Sequence, residues 1–482
     1  MNILFVTSEV APFVKVGGLA DVVGALPKEL ARLGHDVRVV CPLYGSISRD
    51  GMEPDPGPFI VNLGDSPRYG RIWRTVLPGS RVPVYFIEHG GYFDRHEVYT
   101  GPWGSHADNG ERFTFLSRAG LDLCFYLDWI PDVFHVHDWP TALLPVMLNT
   151  RERSGRLARA ASVLTLHNME HQGVFDRSLL RMAGIPETEF RPDSLESVGM
   201  VNMLKGGIYH ATKLTTVSPS YAREIREPIG GCGLDAVLRF KAGDLVGILN
   251  GVDLEVWNPA VDPLIPARYS ADDLSGKAVC KRELQRVFGL DPDPTVPVFG
   301  LISRFAHQKG LDLLRDAAGR ILGGMRVQMV VLGSGDPGLQ ADFAEMPSRF
   351  PGRFGTTIGF DNTRAHLIEA GSDFFMMPSR FEPCGLNQMY SMIYGTPPVV
   401  RATGGLADSV EPYVEGTGKG TGFVFGDATT DALHDTIGWA CSTWYDRPDD
   451  YRRVQLNGMK RDFSWRASAA RYAEVYGWAV GG

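Results

Sequence analysis

The 482-residue sequence contains only six cysteines, Cys41, Cys124, Cys232, Cys280, Cys384 and Cys441, with no C-x-x-C pair and no zinc-ligand spacing. That excludes a disulfide-stapled framework and reads as reduced thiols. No basic run interrupts a chain of formal net charge −8, which argues against a phosphate-backbone partner, so no nucleic acid is expected. No uninterrupted apolar stretch reaches membrane-spanning length, so no membrane is expected either. The opening MNILFVTSEV lacks a basic n-region and a small-residue cleavage site, and the expected location is cytoplasmic. Also missing are a G-x-x-x-x-G-K-[ST] phosphate loop and a G-x-S-x-G nucleophile elbow.

What is present is alternation. Short β-rich apolar runs, NILFVTS, DVRVVCP, VPVYFIE, DVFHVHD, SVLTLHN, KLTTVS and LVGILNGVD, alternate with helix-patterned segments in the first half. The pattern restarts with VPVFGLISRF, VQMVVLGSG, FGTTIGF, DFFMMPS, PPVVRATGG and GFVFG. Continuous apolar strands suit a parallel sheet covered on both faces. Intervening amphipathic stretches such as DVVGALPKELARLG and LDLLRDAAGRILGG supply the crossovers. The expected fold is therefore α/β, with two Rossmann-like doubly wound domains facing across a cleft. A polar, Pro-containing stretch over 258–271 places the boundary, giving domains 1–257 and 258–460 and a C-terminal helix over 461–482 that returns to the first domain.

Several strand ends carry chemistry. GGLAD occurs twice, at Gly17–Asp21 two residues beyond Lys15 and at Gly404–Asp408. Paired glycines before a helix expose N–H groups to an anion, though a tight turn with a solvated lysine explains one copy equally well. SRFAHQKG sets Arg304 at a strand end and Lys309 before a helix, where both cations can meet one phosphate; a basic surface loop is the competing reading. In PSRFEPCGL, Glu382 can accept from sugar hydroxyls while the Cys384–Leu386 backbone meets a phosphate, or Glu382 merely complements a helix dipole. HVHDW and TLHNMEHQG bring His135, His137, Asp138, His167 and His171. A metal site is the minority reading, since no thiolate or H-x-x-x-H helix accompanies them, and no metal is expected. Asp138 and His167 end two different strands, where catalytic groups sit in such sheets. LGSGDPG matches a dinucleotide fingerprint, but Asp336 would repel a pyrophosphate and Pro337 starts a helix.

Together KVGGLADVVGALPKEL, HVHDW, LNGVD, the QKG loop after Arg304, LGSGD, PSRFEPCGL and TGGLADSV resemble the ADP-glucose-using bacterial glycogen synthase family, shared with plant starch synthases. The resemblance implies the glycosyltransferase B-type fold and retaining transfer of glucose from ADP-glucose to the non-reducing 4-hydroxyl of an α-1,4-glucan such as glycogen, without a metal or other cofactor. It assigns Lys15, Gly17 and Gly18 to the donor phosphate, and Arg304 and Lys309 to the diphosphate. Glu382 with Cys384, Gly385 and Leu386 would bind glucose and phosphate, Thr403 and Gly404 would cradle the diphosphate, and Phe360 would stack on adenine. Asp138 and His167 would line the transfer point. The chain departs from the family in NMEHQG, which lacks the usual aromatic near His171, and at Phe360, where Tyr is common. Tyr390 stands where many transferases of this fold carry a second Glu. A UDP-sugar-dependent transferase with a small or lipid acceptor is the nearest alternative.

Overall fold

The computed structural model describes residues 1–64, 66–101 and 104–481. The chain divides into two compact units, Met1–Gly251 with Trp465–Gly482, and Val252–Ser464; Gly482 itself lies outside the described residues.

In the first unit the main strands of the large sheet are β1 (Asn2–Val6), β2 (Asp36–Pro42), β3 (Pro67–Val76), β4 (Pro83–Glu88), β5 (Val133–His137), β6 (Ala161–Leu166), β7 (Lys213–Thr216) and β8 (Leu245–Gly247). They lie in the order β8-β7-β6-β5-β1-β2-β4-β3, parallel throughout except for β3, which runs antiparallel to β4. Buried runs such as Ile3–Val6 and Val163–Leu164 explain why these segments form strands: helices cover both faces, so no alternation with polar residues is needed. The helix Gly18–Arg32 follows β1 and buries Leu19, Val22, Val23, Leu26 and Leu30 along one face. The C-terminal helix Trp465–Gly481 packs against it.

The second unit carries β9 (Val298–Phe305), β10 (Gln328–Gly335), β11 (Phe354–Ile358), β12 (Phe374–Met377), β13 (Pro398–Arg401) and β14 (Phe423–Phe425). Their order is β11-β10-β9-β12-β13-β14, all parallel. Phe299, Leu301, Val331, Phe374 and Val399 pack with Leu314, Ala317 and Ile321 of the helix Leu311–Gly324 to form its core. Numbered within its own unit, each parallel sheet has strand order 3-2-1-4-5-6, continued by β8 in the first. The direction in which successive strands are added across the sheet therefore reverses between β1 and β5 in one unit, and between β9 and β12 in the other. The doubly wound α/β class is as expected, and these two reversals are where ligands bind in such sheets.

The boundaries differ from expectation. The first unit ends at Gly251 and not at residue 257, because Trp257 is sandwiched between His366 and Tyr390, with ring centroids 3.9 and 4.1 Å apart, which ties 252–257 to the second unit. The C-terminal segment starts at Trp465 and not at residue 461, because the Val252 amide donates to the Phe463 carbonyl at 2.7 Å. Tyr390, the departure from the second-Glu pattern, is thus one wall of that sandwich. No helix among the described residues is long and apolar enough to cross a membrane.

Candidate active site

At the β9/β12 reversal a cavity of about 300 Å3 opens, lined by Ser303, Arg304, Lys309, Phe360, Ser379, Glu382, Gly385, Leu386 and Asn387 among others. Six of these were singled out from the sequence; Ser303, Ser379 and Asn387 were not. β9 delivers Arg304 at its exposed end, and the turn His307–Lys309 delivers the lysine. That turn closes at Gly310, whose φ of +66° and contact with the Pro378 carbonyl leave no room for a Cβ. Lys309 thereby reaches the loop after β12. Its Nζ lies 2.6 Å from Glu382 Oε2, and the Ser379 hydroxyl donates to the same oxygen at 3.0 Å.

In this ion pair Glu382 is buried and Lys309 half-buried, with side-chain exposures of 7% and 19%. A carboxylate paired on one oxygen keeps its remaining lone pairs for a hydroxyl-bearing ligand. Among the described residues the Arg304 guanidinium makes one long 3.5 Å contact, to Gln308, so it can turn to an anion. Phe360 is 89% exposed on the cavity rim beside Gly359, an apolar face suited to a flat heterocycle. Cys384 is buried, and Gly385 adopts φ +69°.

The two GGLAD copies are built differently. Gly17 and Gly18 face open space, with nothing within 4 Å of an added Cβ. Gly404, at φ +44°, lies against the Glu382 carbonyl and Gly405 against that of Cys384, while the Gly405 amide donates to Glu382 O at 3.0 Å. The second copy is therefore a backbone seat for the Glu382 loop, with Thr403 buried at the helix start.

The first copy is held by a residue the sequence reading missed. Glu9, just beyond β1, accepts from the Val16 and Gly17 amides at 2.6 and 2.9 Å, and the Tyr99 hydroxyl donates to it at 2.6 Å. The Gly17 N–H expected to meet a phosphate is thus taken by a carboxylate within the unit. Lys15 pairs with Asp21 at 2.7 Å but is 55% exposed, where such a bond is weak and easily exchanged.

At the β1/β5 reversal Asp138 takes φ +50°, a left-handed conformation uncommon outside glycine. That turn lets its Oδ1 accept the His167 amide at 2.7 Å, joining the ends of β5 and β6. His167 Nε2 lies 3.2 Å from His137 Nδ1. Both nitrogens of His135 are engaged, with the Thr165 and Tyr476 hydroxyls at 2.6 and 2.8 Å, so its ring serves the core. Burial depresses the His167 pKa to about 3 and pushes the Asp138 carboxyl up to about 7.

The Asp138 shift has a testable sign. Its carboxyl titrates near pH 4 when unfolded and near 7 in the fold, so its contribution is most favourable below about pH 4 and is lost as pH rises through 7. Asp138→Asn keeps the oxygen that accepts the His167 amide. Relative to the parent it should gain stability above pH 7, the gain vanishing below about pH 4. Thermal melts across that range check this; a constant offset would show that burial of the charge is not the cause.

At Asp336 the dinucleotide fingerprint is closed off. The Asp336 carboxylate accepts the Leu339 amide at 2.9 Å and caps the helix that begins at Pro337, so a negative side chain sits where a pyrophosphate would.

Residues 2–240 match the family model described as the starch synthase catalytic domain, and residues 284–458 that of glycosyl transferases group 1. A glycogen synthase 1 of Geobacter sulfurreducens is 53% identical over 480 residues, covering 99% of this chain and 96% of that protein. A glycogen synthase 1 of Geobacter metallireducens is 51% identical over 484 residues, covering 100% and 96%. Among solved structures, the catalytic domain of starch synthase IV from Arabidopsis thaliana, bound to ADP and acarbose, matches with a TM-score of 0.92 and 35% identity over 100% of this chain and 99% of that one. A sucrose-phosphate synthase from Thermosynechococcus elongatus, 18% identical with a TM-score of 0.60 over 99% and 98%, shares the fold alone.

Proposed function

The chain belongs to the glycogen and starch synthase family of glycosyltransferases and acts as a glycogen synthase; on that premise we propose that its donor is ADP-glucose and that the cavity at the β9/β12 reversal holds it. The observation that carries this reading is the shielded Lys309–Glu382 pair, flanked by Arg304 and by the exposed ring of Phe360 around one cavity. A charged sugar nucleotide needs cations for the diphosphate, an acceptor for sugar hydroxyls and a flat apolar face for the base, and the cavity offers all three. The ADP bound by the starch synthase relative supports the same donor.

Glucose would pass to the non-reducing 4-hydroxyl of an α-1,4-glucan with retention. The anomeric C–O bond breaks as charge grows on the diphosphate, and Arg304 and Lys309 are already placed for that charge. The acceptor hydroxyl bonds to the anomeric carbon from the same face and its proton leaves on the departing phosphate, so no covalent enzyme intermediate forms. Lys15, Gly18 and the Thr403–Gly404 segment are assigned to the donor phosphates, Cys384, Gly385 and Leu386 to the sugar–phosphate junction, and Asp138 and His167 to the transferred glucose. Side-chain cations thus supply the positive charge that metal ions supply in other transferases.

Nucleoside-diphosphate release from ADP-glucose and from UDP-glucose, each with and without glycogen and in EDTA, tests donor, acceptor and metal independence together. Glycogen-dependent ADP release well above UDP release is expected. Preferred release of UDP would give the donor to the alternative transferase reading. Charged hydrogen bonds contribute about 1.5–3 kcal/mol, so Arg304→Ala should lower kcat about 10- to 150-fold. Arg304 is exposed and lacks a carboxylate partner among the described residues, so its loss should leave the melting temperature near that of the parent.

A further inference from the structure

We propose that His137 is a positioning residue that locks His167 as the neutral tautomer protonated on Nδ1, so that His167 offers the sugar a hydrogen-bond donor and cannot act as a general base. The role toward the sugar rests on the transferase reading above; the tautomer does not.

The 3.2 Å contact between His137 Nδ1 and His167 Nε2 needs one proton between two ring nitrogens. Burial lowers both pKa values, so both rings are neutral and each carries one proton. If His167 donated from Nε2, His137 would have to carry its own proton on Nε2. That nitrogen is fully buried and has no hydrogen-bond partner, so a donor would be orphaned there. Buried donors without partners are rarer in proteins than under-used acceptors. If His137 donates from Nδ1, its Nε2 presents only a lone pair, and the His167 proton must sit on Nδ1. No hydrogen bond of the described residues occupies His167 Nδ1, and that residue is only partly buried, so the proton faces the site.

The pair is held from both sides. The His137 backbone exchanges hydrogen bonds with the Thr141 hydroxyl at 2.7 and 2.9 Å. Its ring stacks on Phe5 at 5.7 Å and lies 4.3 Å from His135, itself fixed by Thr165 and Tyr476. Asp138 fixes the His167 backbone. Free imidazoles favour the Nε2-protonated form, so Nδ1 protonation on both rings is the signature of the constraint and not the default. With no lone pair open on His167, the acceptor proton is left to the departing phosphate, as the front-side course requires.

Long-range 1H–15N correlation spectra of the full chain at pH 7, assigned with His137 and His167 variants, read the tautomer directly. His167 protonated on Nδ1 is expected; protonation on Nε2 in the parent protein overturns the proposal. His137→Phe keeps ring volume but removes the donor. It leaves the His167 Nε2 lone pair without its donor, so the ring should exchange between tautomers and no longer hold the Nδ1 form alone, and kcat should fall about 3- to 10-fold with little change in the KM for ADP-glucose. His137→Asn puts an amide nitrogen near the former Nδ1 and should restore both the tautomer and most of the turnover. A packing role predicts the reverse, with Phe better tolerated than Asn, and that order would also overturn the proposal. A parent protein that releases no nucleotide on glycogen removes the transferase reading, while the spectra still decide the lock.

Discussion

Glu382→Gln is expected to lower kcat by about 100-fold or more while ADP binds at least as tightly as to the parent. The Glu382 carboxylate accepts the Lys309 ammonium at 2.6 Å and the Ser379 hydroxyl at 3.0 Å, and it is 5% exposed. Its free lone pairs are the strongest acceptors on that side of the cavity, and charged hydrogen bonds to sugar hydroxyls contribute about 1.5–3 kcal/mol each. Glutamine keeps the shape but loses the charge, and its amide nitrogen cannot accept from Lys309. The ammonium then lacks its counter-charge and is left for the diphosphate, which is why nucleotide affinity holds or rises. Titration calorimetry with ADP beside steady-state turnover separates the two effects. An equal fall in ADP affinity would contradict the sugar-side role. Lys309→Ala provides the contrast. It leaves Glu382 buried without its counter-charge, with only the Ser379 hydroxyl still donating to it, a change that typically costs about 3–5 kcal/mol, so it should weaken ADP binding and lower the melting temperature together.

That pair also shows where a sequence stops being informative. The parallel strands were legible because strands covered on both faces must be continuous apolar runs, as in NILFV and QMVVLGSG. β3 was not, because PRYGRIWRTV buries Ile72 alone and otherwise resembles a loop. Arg304, Lys309 and Glu382 could be named because strand ends collect functional groups, but the bond between Lys309 and Glu382 spans 73 positions and belongs to no local motif. Glu9 belongs to no motif in the sequence; only folding brings the Val16 and Gly17 amides and Tyr99 onto its oxygens. The same limit holds for Tyr476, which meets His135 across 341 positions. Composition and period determine elements; pairings between distant side chains depend on the folded geometry.

The repeated GGLAD is the sharpest case, and it predicts opposite outcomes for one substitution. Gly404→Ala should unfold the second unit early and abolish transfer. Its φ of +44° already strains any other residue, and the new methyl would enter the Glu382 carbonyl, a backbone atom that cannot swing aside. The left-handed conformation costs about 1–2 kcal/mol and the collision adds to it, so a loss of about 3 kcal/mol or more, or about 6–12 °C in melting temperature, is expected. Relief of the clash would push the Glu382 loop away from Lys309, so turnover falls further than stability alone dictates. Gly17→Ala meets nothing within 4 Å and has φ −141°, which alanine adopts freely. It forfeits only the helix-cap preference of glycine over alanine, on the order of 1 kcal/mol, and its fold should survive. Any fall in its turnover then reports on what the open first copy does for the donor. Equal melting temperatures for the two variants would show that the second copy is not the seat of the Glu382 loop.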